Sequence, residues 1–122
     1  MVTSLLERRY TADEIVDQHL GEGCEYVNGQ FVRRNVSLES SETAARIIFF
    51  LMLHSRGRRL GTILDSEQWM QFFPDAPNDL RRPGVAFLSR ARRPGNVGVL
   101  RVPPELVVEV VSPGDTHREV RA

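Results

Sequence analysis

Lysine is absent from this chain of 122 residues, so all 16 basic side chains are arginine and no step that needs a lysine ammonium is open to it. Cysteine is nearly as scarce. A single thiol, Cys24, excludes an internal disulfide and a cysteine-based zinc site, and His19, His54 and His117 are too scattered to supply metal-ligand spacing. No base stands out to activate Cys24, which reads as a small, partly buried residue. Long apolar runs are missing too. The longest, residues 47–53, is far too short to span a bilayer, and the first residues lack a basic region followed by an apolar core, so the expectation is a soluble, cytoplasmic protein that engages no membrane. Net charge is also lacking, because 16 acidic residues balance the 16 arginines. The arginines nevertheless cluster, at Arg56, Arg58 and Arg59 and again at Arg81, Arg82, Arg90, Arg92 and Arg93, where they can contact phosphates or form a solvated face.

What is present has the composition of an ordinary globular chain, with 41% apolar and 26% charged residues, and the length of one domain. Thr11-Ala12-Asp13-Glu14 is a capping box that predicts a short helix to about Leu20, stopped by Gly21 and Gly23. Asn28-Gly29 between two short apolar runs predicts a hairpin, closing a helix-and-hairpin unit over 11–36. A long helix follows over 40–56, capped by Ser40 or Ser41 with Glu42 in its first turn. It is apolar nearly all round, so its back should be covered by other elements or by a second copy of the chain, a homodimer. Core strands are expected between 60 and 111, at 60–64, 68–73, 83–88 and 106–111, with a loop at 74–79. Asp115 caps the start of a C-terminal helix over 115–122. This order of elements is that of an α/β (α+β) domain on a mixed sheet.

Glu109 breaks the pattern of its own segment, Leu106-Val107-Val108-Glu109-Val110-Val111, which reads as a buried strand delimited by Pro103-Pro104 and Ser112-Pro113-Gly114. A buried carboxylate must be neutralised by a raised pKa, paired with a cation or bound to a metal. The bland alternative is a strand acid near a sheet edge that reaches solvent or one of the arginines. If an adjacent strand offered a second acid, the two would form a magnesium site suited to phosphodiester hydrolysis. The natural place for it is just after Pro83.

Three ordered segments carry a resemblance: Phe73-Pro74-Asp75-Ala76-Pro77-Asn78, then Arg81-Arg82-Pro83-Gly84-Val85-Ala86-Phe87, then Pro104-Glu105 through the Glu109 strand to Asp115-Thr116. Together with Glu25-Tyr26-Val27-Asn28-Gly29-Gln30 upstream, they resemble the Uma family of putative restriction endonucleases over roughly residues 10 to 122. The resemblance implies a PD-(D/E)XK nuclease-like domain, a mixed sheet flanked by helices, and Mg2+-dependent cleavage of DNA. Glu109 then matches the family's metal-binding acid on the second core strand. Gly84 stands where the family has a metal-binding aspartate, and a glycine has no side-chain oxygen. Glu105 matches a separate acidic position. The family's lysine belongs beyond Thr116, where this chain offers only Arg118 and Arg121, which cannot act as bases. The family's later strands and helix are also missing, so the resemblance is to a C-terminally shortened copy with an incomplete fold.

Three readings follow. One is a magnesium-dependent endonuclease working with Glu109, helped by Glu25 or Glu42. Another is a catalytically impaired nuclease-like module that binds DNA or protein. The third is a shortened paralogue completed by dimerisation or without a selected function.

Overall fold

The computed structural model describes residues 8–111. Helix α1 spans Ala12–Asp17 behind its capping box: the Thr11 hydroxyl accepts from the Glu14 amide at 3.1 Å while the Glu14 carboxylate accepts from the Thr11 amide at 2.9 Å. It ends earlier than expected. His19 adopts a positive φ of 55°, and the His19 and Leu20 amides turn back to the Val16 and Ile15 carbonyls, closing the helix in a Schellman arrangement. Strands β1 (Cys24–Val27) and β2 (Gln30–Arg33) form the expected hairpin, with both Asn28 and Gly29 at positive φ as a type I′ turn demands.

Helix α2 spans Leu38–Ser55, so it begins before the predicted cap. Ser37 is the N-cap and Ser40 its partner three residues on, each side chain bonding the other's amide, 2.9 Å from the Ser37 N and 3.1 Å from the Ser40 N. A serine does here what a glutamate usually does. The helix packs on the sheet through β3 (Gly61–Leu64) and β5 (Val85–Ser89), but Phe49, Phe50, Met52 and Leu53 remain exposed among the described residues.

Parallel and antiparallel pairs both occur, as a mixed sheet requires, but they are split into separate ladders. An antiparallel sheet runs β3-β5-β7, with β7 at Leu106–Val108. A short parallel pair joins β4 (Trp69–Met70) to β6 (Val99–Leu100). The segment expected as a strand over 68–73 is therefore only two residues of strand, and β6 was not expected. Its signal is too short to read locally; it exists because Trp69 and Met70 need a partner.

Leu80 and Arg81 tie the ladders together. Leu80 exchanges amide–carbonyl bonds of 2.9 and 2.8 Å with Tyr26 of β1, and Arg81 exchanges two of 2.8 Å with Met70 of β4. Pro83 has no amide to extend this ladder, and the chain passes through Gly84 into β5. Adjacent residues of β4 point to opposite faces, so Trp69 enters a cluster with Ile15, Tyr26, Leu80 and Val99, while Met70 enters another with Ala86, Leu88 and Leu100. No helix among the described residues is long and apolar enough to cross a membrane. The expected C-terminal helix over 115–122 lies outside the described residues.

Candidate active-site cleft

The turn from Leu80 into β5 faces the hairpin and the start of α2, and between them lies an open cleft of about 500 Å³. Glu25, Gly84 and Glu109 all line it. Residues far apart in sequence are brought together at this cleft.

Glu109 differs from expectation in its placement. It follows β7 by one residue instead of lying inside a buried strand, and β7 is an edge strand among the described residues, with Leu106 42% and Val111 60% exposed. The ladder is short because Pro103 and Pro104 precede it and β5 is its one described partner. Glu109 is an exposed residue that borders the cleft, so it stands nearer to the bland alternative of an edge-strand acid reaching solvent than to a fully buried carboxylate. Burial is the largest influence on it and the Glu25 charge the next, and together they push its pKa from 4.5 up to about 7. The Arg34 and Arg81 charges and the Gly84 amide, which donates to the carboxylate, hold it from going further. Its proton is thus held toward neutral pH, with the Arg34 and Arg81 charges acting against that rise.

The folded chain thus holds the Glu109 proton to higher pH than the unfolded chain does. The stability this confers is present below about pH 4.5 and is lost as pH rises through about 7. Glu109→Gln should raise unfolding free energy by about 1 kcal/mol near pH 8, a figure discounted for solvent screening, and change little near pH 4. Urea unfolding at both pH values measures this; an equal effect at both would show that the charge is not responsible.

Glu25 sits on β1 opposite Val32, and one of its oxygens accepts the Arg82 backbone amide at 2.8 Å. Gly84 needs no left-handed backbone, and a Cβ built there would lie 3.2 Å from the Val108 carbonyl oxygen and 3.8 Å from the Val110 nitrogen. A side chain fits after shifts of a few tenths of an ångström. Glu42, by contrast, lies on the exposed face of α2 in an ion pair with Arg46 at 3.2 Å, outside the cleft. Glu105 is also elsewhere: it accepts the Ser89 amide at 2.9 Å, and the Ser89 hydroxyl first and that amide next hold its carboxyl below the usual range. Arg118 and Arg121 lie outside the described residues.

The arginines divide by position. Arg56, Arg58 and Arg59 are solvated, and Arg92 and Arg93 are tied to the Pro103 carbonyl at 2.9 Å and the Thr62 hydroxyl at 2.8 Å. Arg81 and Arg82 enter the cleft. Arg82 is buried, 9% exposed, with its guanidinium 3.5 Å from the centroid of the Trp69 ring. Sequence reasoning missed Arg33 and Arg34, which join them there. The only local signal is an arginine pair directly after the hairpin, and it says nothing about where the pair folds.

The family model described as Uma2, putative restriction endonuclease, matches residues 10–122. The chain belongs to the Uma2 family. Among solved structures, this Uma2 chain resembles a putative nuclease belonging to DUF820 from Anabaena variabilis, with a TM-score of 0.72 at 15% identity over 91% of this chain. That likeness establishes a nuclease-like α/β fold. The match spans 63% of the Anabaena protein's chain. No curated protein matches.

Restriction-endonuclease-like families generally use a divalent metal, and the Uma2 cleft can be tested for one on its donors. Magnesium demands several hard oxygen ligands. Gly84 offers no side-chain oxygen, one Glu25 oxygen is committed to the Arg82 amide, and Glu109 holds its proton up to about pH 7. Guanidiniums flank both acids. Among the described residues no group of three or more His, Cys, Asp or Glu is placed to hold a metal. The described residues of the cleft do not fit a divalent cation.

Proposed function

We propose that this chain is a restriction-endonuclease-like domain that binds DNA through its arginines and is impaired in hydrolysis. The observation that carries this reading is Gly84 in the cleft beside Glu109, at the position where a second metal-binding acid would sit. Glu109 is then the surviving member of a metal site and Glu25 its neighbour, a role that Glu25's bond to the Arg82 amide makes structural. These 122 residues contain no lysine to position water and stabilise the transition state. DNA as the ligand is supported by family membership and by a cleft rich in arginine. The exposed apolar residues of α2 support the expected homodimer, which light scattering can measure.

DNA binding and cleavage test the two halves separately. The purified chain should be retained on DNA at about 50 mM salt and released as salt rises, because phosphate contacts displace counterions. Plasmid incubated with it and magnesium or manganese should stay supercoiled. Absence of retention at low salt sinks the binding half. Nicking by the wild type that Glu109→Ala abolishes sinks the impairment.

A further inference from the structure

We propose that the cleft is an anion site that takes a phosphate group directly onto arginine donors, with no metal between. It uses the cleft assigned above to DNA binding but does not require the ligand to be DNA.

Charge is the first argument. Arg33, Arg34, Arg81 and Arg82 line the cleft against the two carboxylates of Glu25 and Glu109, so the lining favours an anion. Donor inventory is the second. The Nε atoms of Arg34, Arg81 and Arg82 are all buried, and none has a hydrogen-bond partner. Buried donors are normally satisfied, and three orphans on arginines that line one cleft mark an excess of guanidinium donors over the protein's own acceptors there. The protein's own acids do not meet this need: Glu25 accepts a backbone amide, Arg34 and Arg81 reach the acids Glu67 and Asp79, beyond the cleft lining, only through long ion pairs of 3.7 Å each, and the Arg34 Nη1 donates instead to the Ser66 carbonyl at 3.0 Å.

Preorganisation is the third argument. Arg82 is clamped between the Trp69 ring and the Gly21 and Cys24 carbonyls, which accept from its Nη1 at 3.3 and 3.4 Å. Burial chiefly lowers its pKa and the nearby Arg34 charge adds to this, so a like-charge pair is held close in a partly dry setting. An anion between them relieves that repulsion. The first turn of α2 lines the same cleft through Ser40 and Ser41 and adds the positive end of its dipole. A tetrahedral phosphate, with acceptors on every face, suits several guanidiniums at once.

Isothermal titration of the whole chain with inorganic phosphate, at low ionic strength and with chloride as control, tests the proposal. The wild type should bind phosphate, and Arg34→Gln and Arg81→Gln should each weaken it by about tenfold or more. Those variants remove partly buried side chains, so Glu109→Gln provides the second arm. At about pH 8, where Glu109 is ionised, deleting that competing negative charge should tighten phosphate about fivefold, whereas a cation site would lose its ligand. No phosphate binding by a wild type shown to be folded overturns the proposal. Unchanged or weaker phosphate binding in Glu109→Gln does so as well, as does magnesium binding that Glu109→Gln abolishes. A short oligonucleotide with a 5′-phosphate that binds more tightly than its unphosphorylated form, and is displaced by free phosphate, supports the proposal with a DNA end as the source. Equal binding of the two oligonucleotides, beside saturable phosphate binding, supports it with a small free anion as the source. Retention on DNA that phosphate does not displace, in a chain that binds no free phosphate, leaves the DNA reading standing and sinks this one.

Discussion

Replacing Trp69 with alanine is expected to destabilise the chain by about 3–5 kcal/mol, the usual cost of truncating a large buried aromatic. Trp69 is 6% exposed and joins Ile15, Tyr26, Leu80 and Val99, so its loss opens a cavity between α1, the hairpin and the β4–β6 pair. A second loss comes on the other face, where the Arg82 guanidinium lies 3.5 Å from the ring centroid. Without the ring, a buried cation keeps only two long bonds, to the Gly21 and Cys24 carbonyls. Trp69→Phe retains an aromatic face and should recover much of that cation–π term while still losing volume. Urea denaturation, compared at constant m-value, measures the difference. A Trp69→Ala cost below about 1 kcal/mol would mean that the indole is not a core residue, and that Arg82 is held by something other than the ring.

Gly84→Asp is expected to create a metal response that the wild type lacks. The backbone there suits an L-residue, and the nearest obstacle to a Cβ, the Val108 carbonyl oxygen at 3.2 Å, requires only a small shift. The new carboxylate would face the cleft with Glu109 and Glu25, so without metal it adds repulsion and lowers stability above about pH 7. Magnesium or manganese should reverse this by binding the folded state alone. At a concentration one hundred times its Kd such a ligand adds about 2.7 kcal/mol, or about 10 °C in melting temperature for a domain of this size. The wild type should show no comparable shift. An equal metal-dependent rise in both proteins would show that position 84 is not the missing ligand. Full hydrolytic activity is not expected from Gly84→Asp, because the chain still contains no lysine.

Features written in adjacent residues were legible in advance. The Thr11–Glu14 box and the Asn28-Gly29 turn are local devices, closed by bonds within a few residues, and both form as read. The Ser37–Ser40 box is equally local but uses serine at both ends, and so the start of α2 was placed late. β6 was missed for a different reason: two residues of strand carry no periodicity, and they pair because β4 lies alongside. The same limit applies to the cleft. Glu109 stood out as an acid in an apolar run, whereas Arg34 stood out as nothing until the fold set it near Arg82 and Glu109.

Composition alone determined which atoms these 122 residues can bring to a reaction: no lysine, no side-chain oxygen on residue 84, and one carboxylate lodged in a valine-rich segment. Tertiary structure decided what those atoms face. The Tyr26–Leu80 and Met70–Arg81 bridges carry Arg81 and Arg82 to the cleft that Glu25 and Glu109 also line, and strand pairing sets Glu109 just past a sheet edge. Electrostatic character depends on distances between residues remote in sequence, and burial and backbone pairing set those distances. For that reason a segment that reads as half of a cation site folds into a cleft whose charged lining is four arginines against two glutamates.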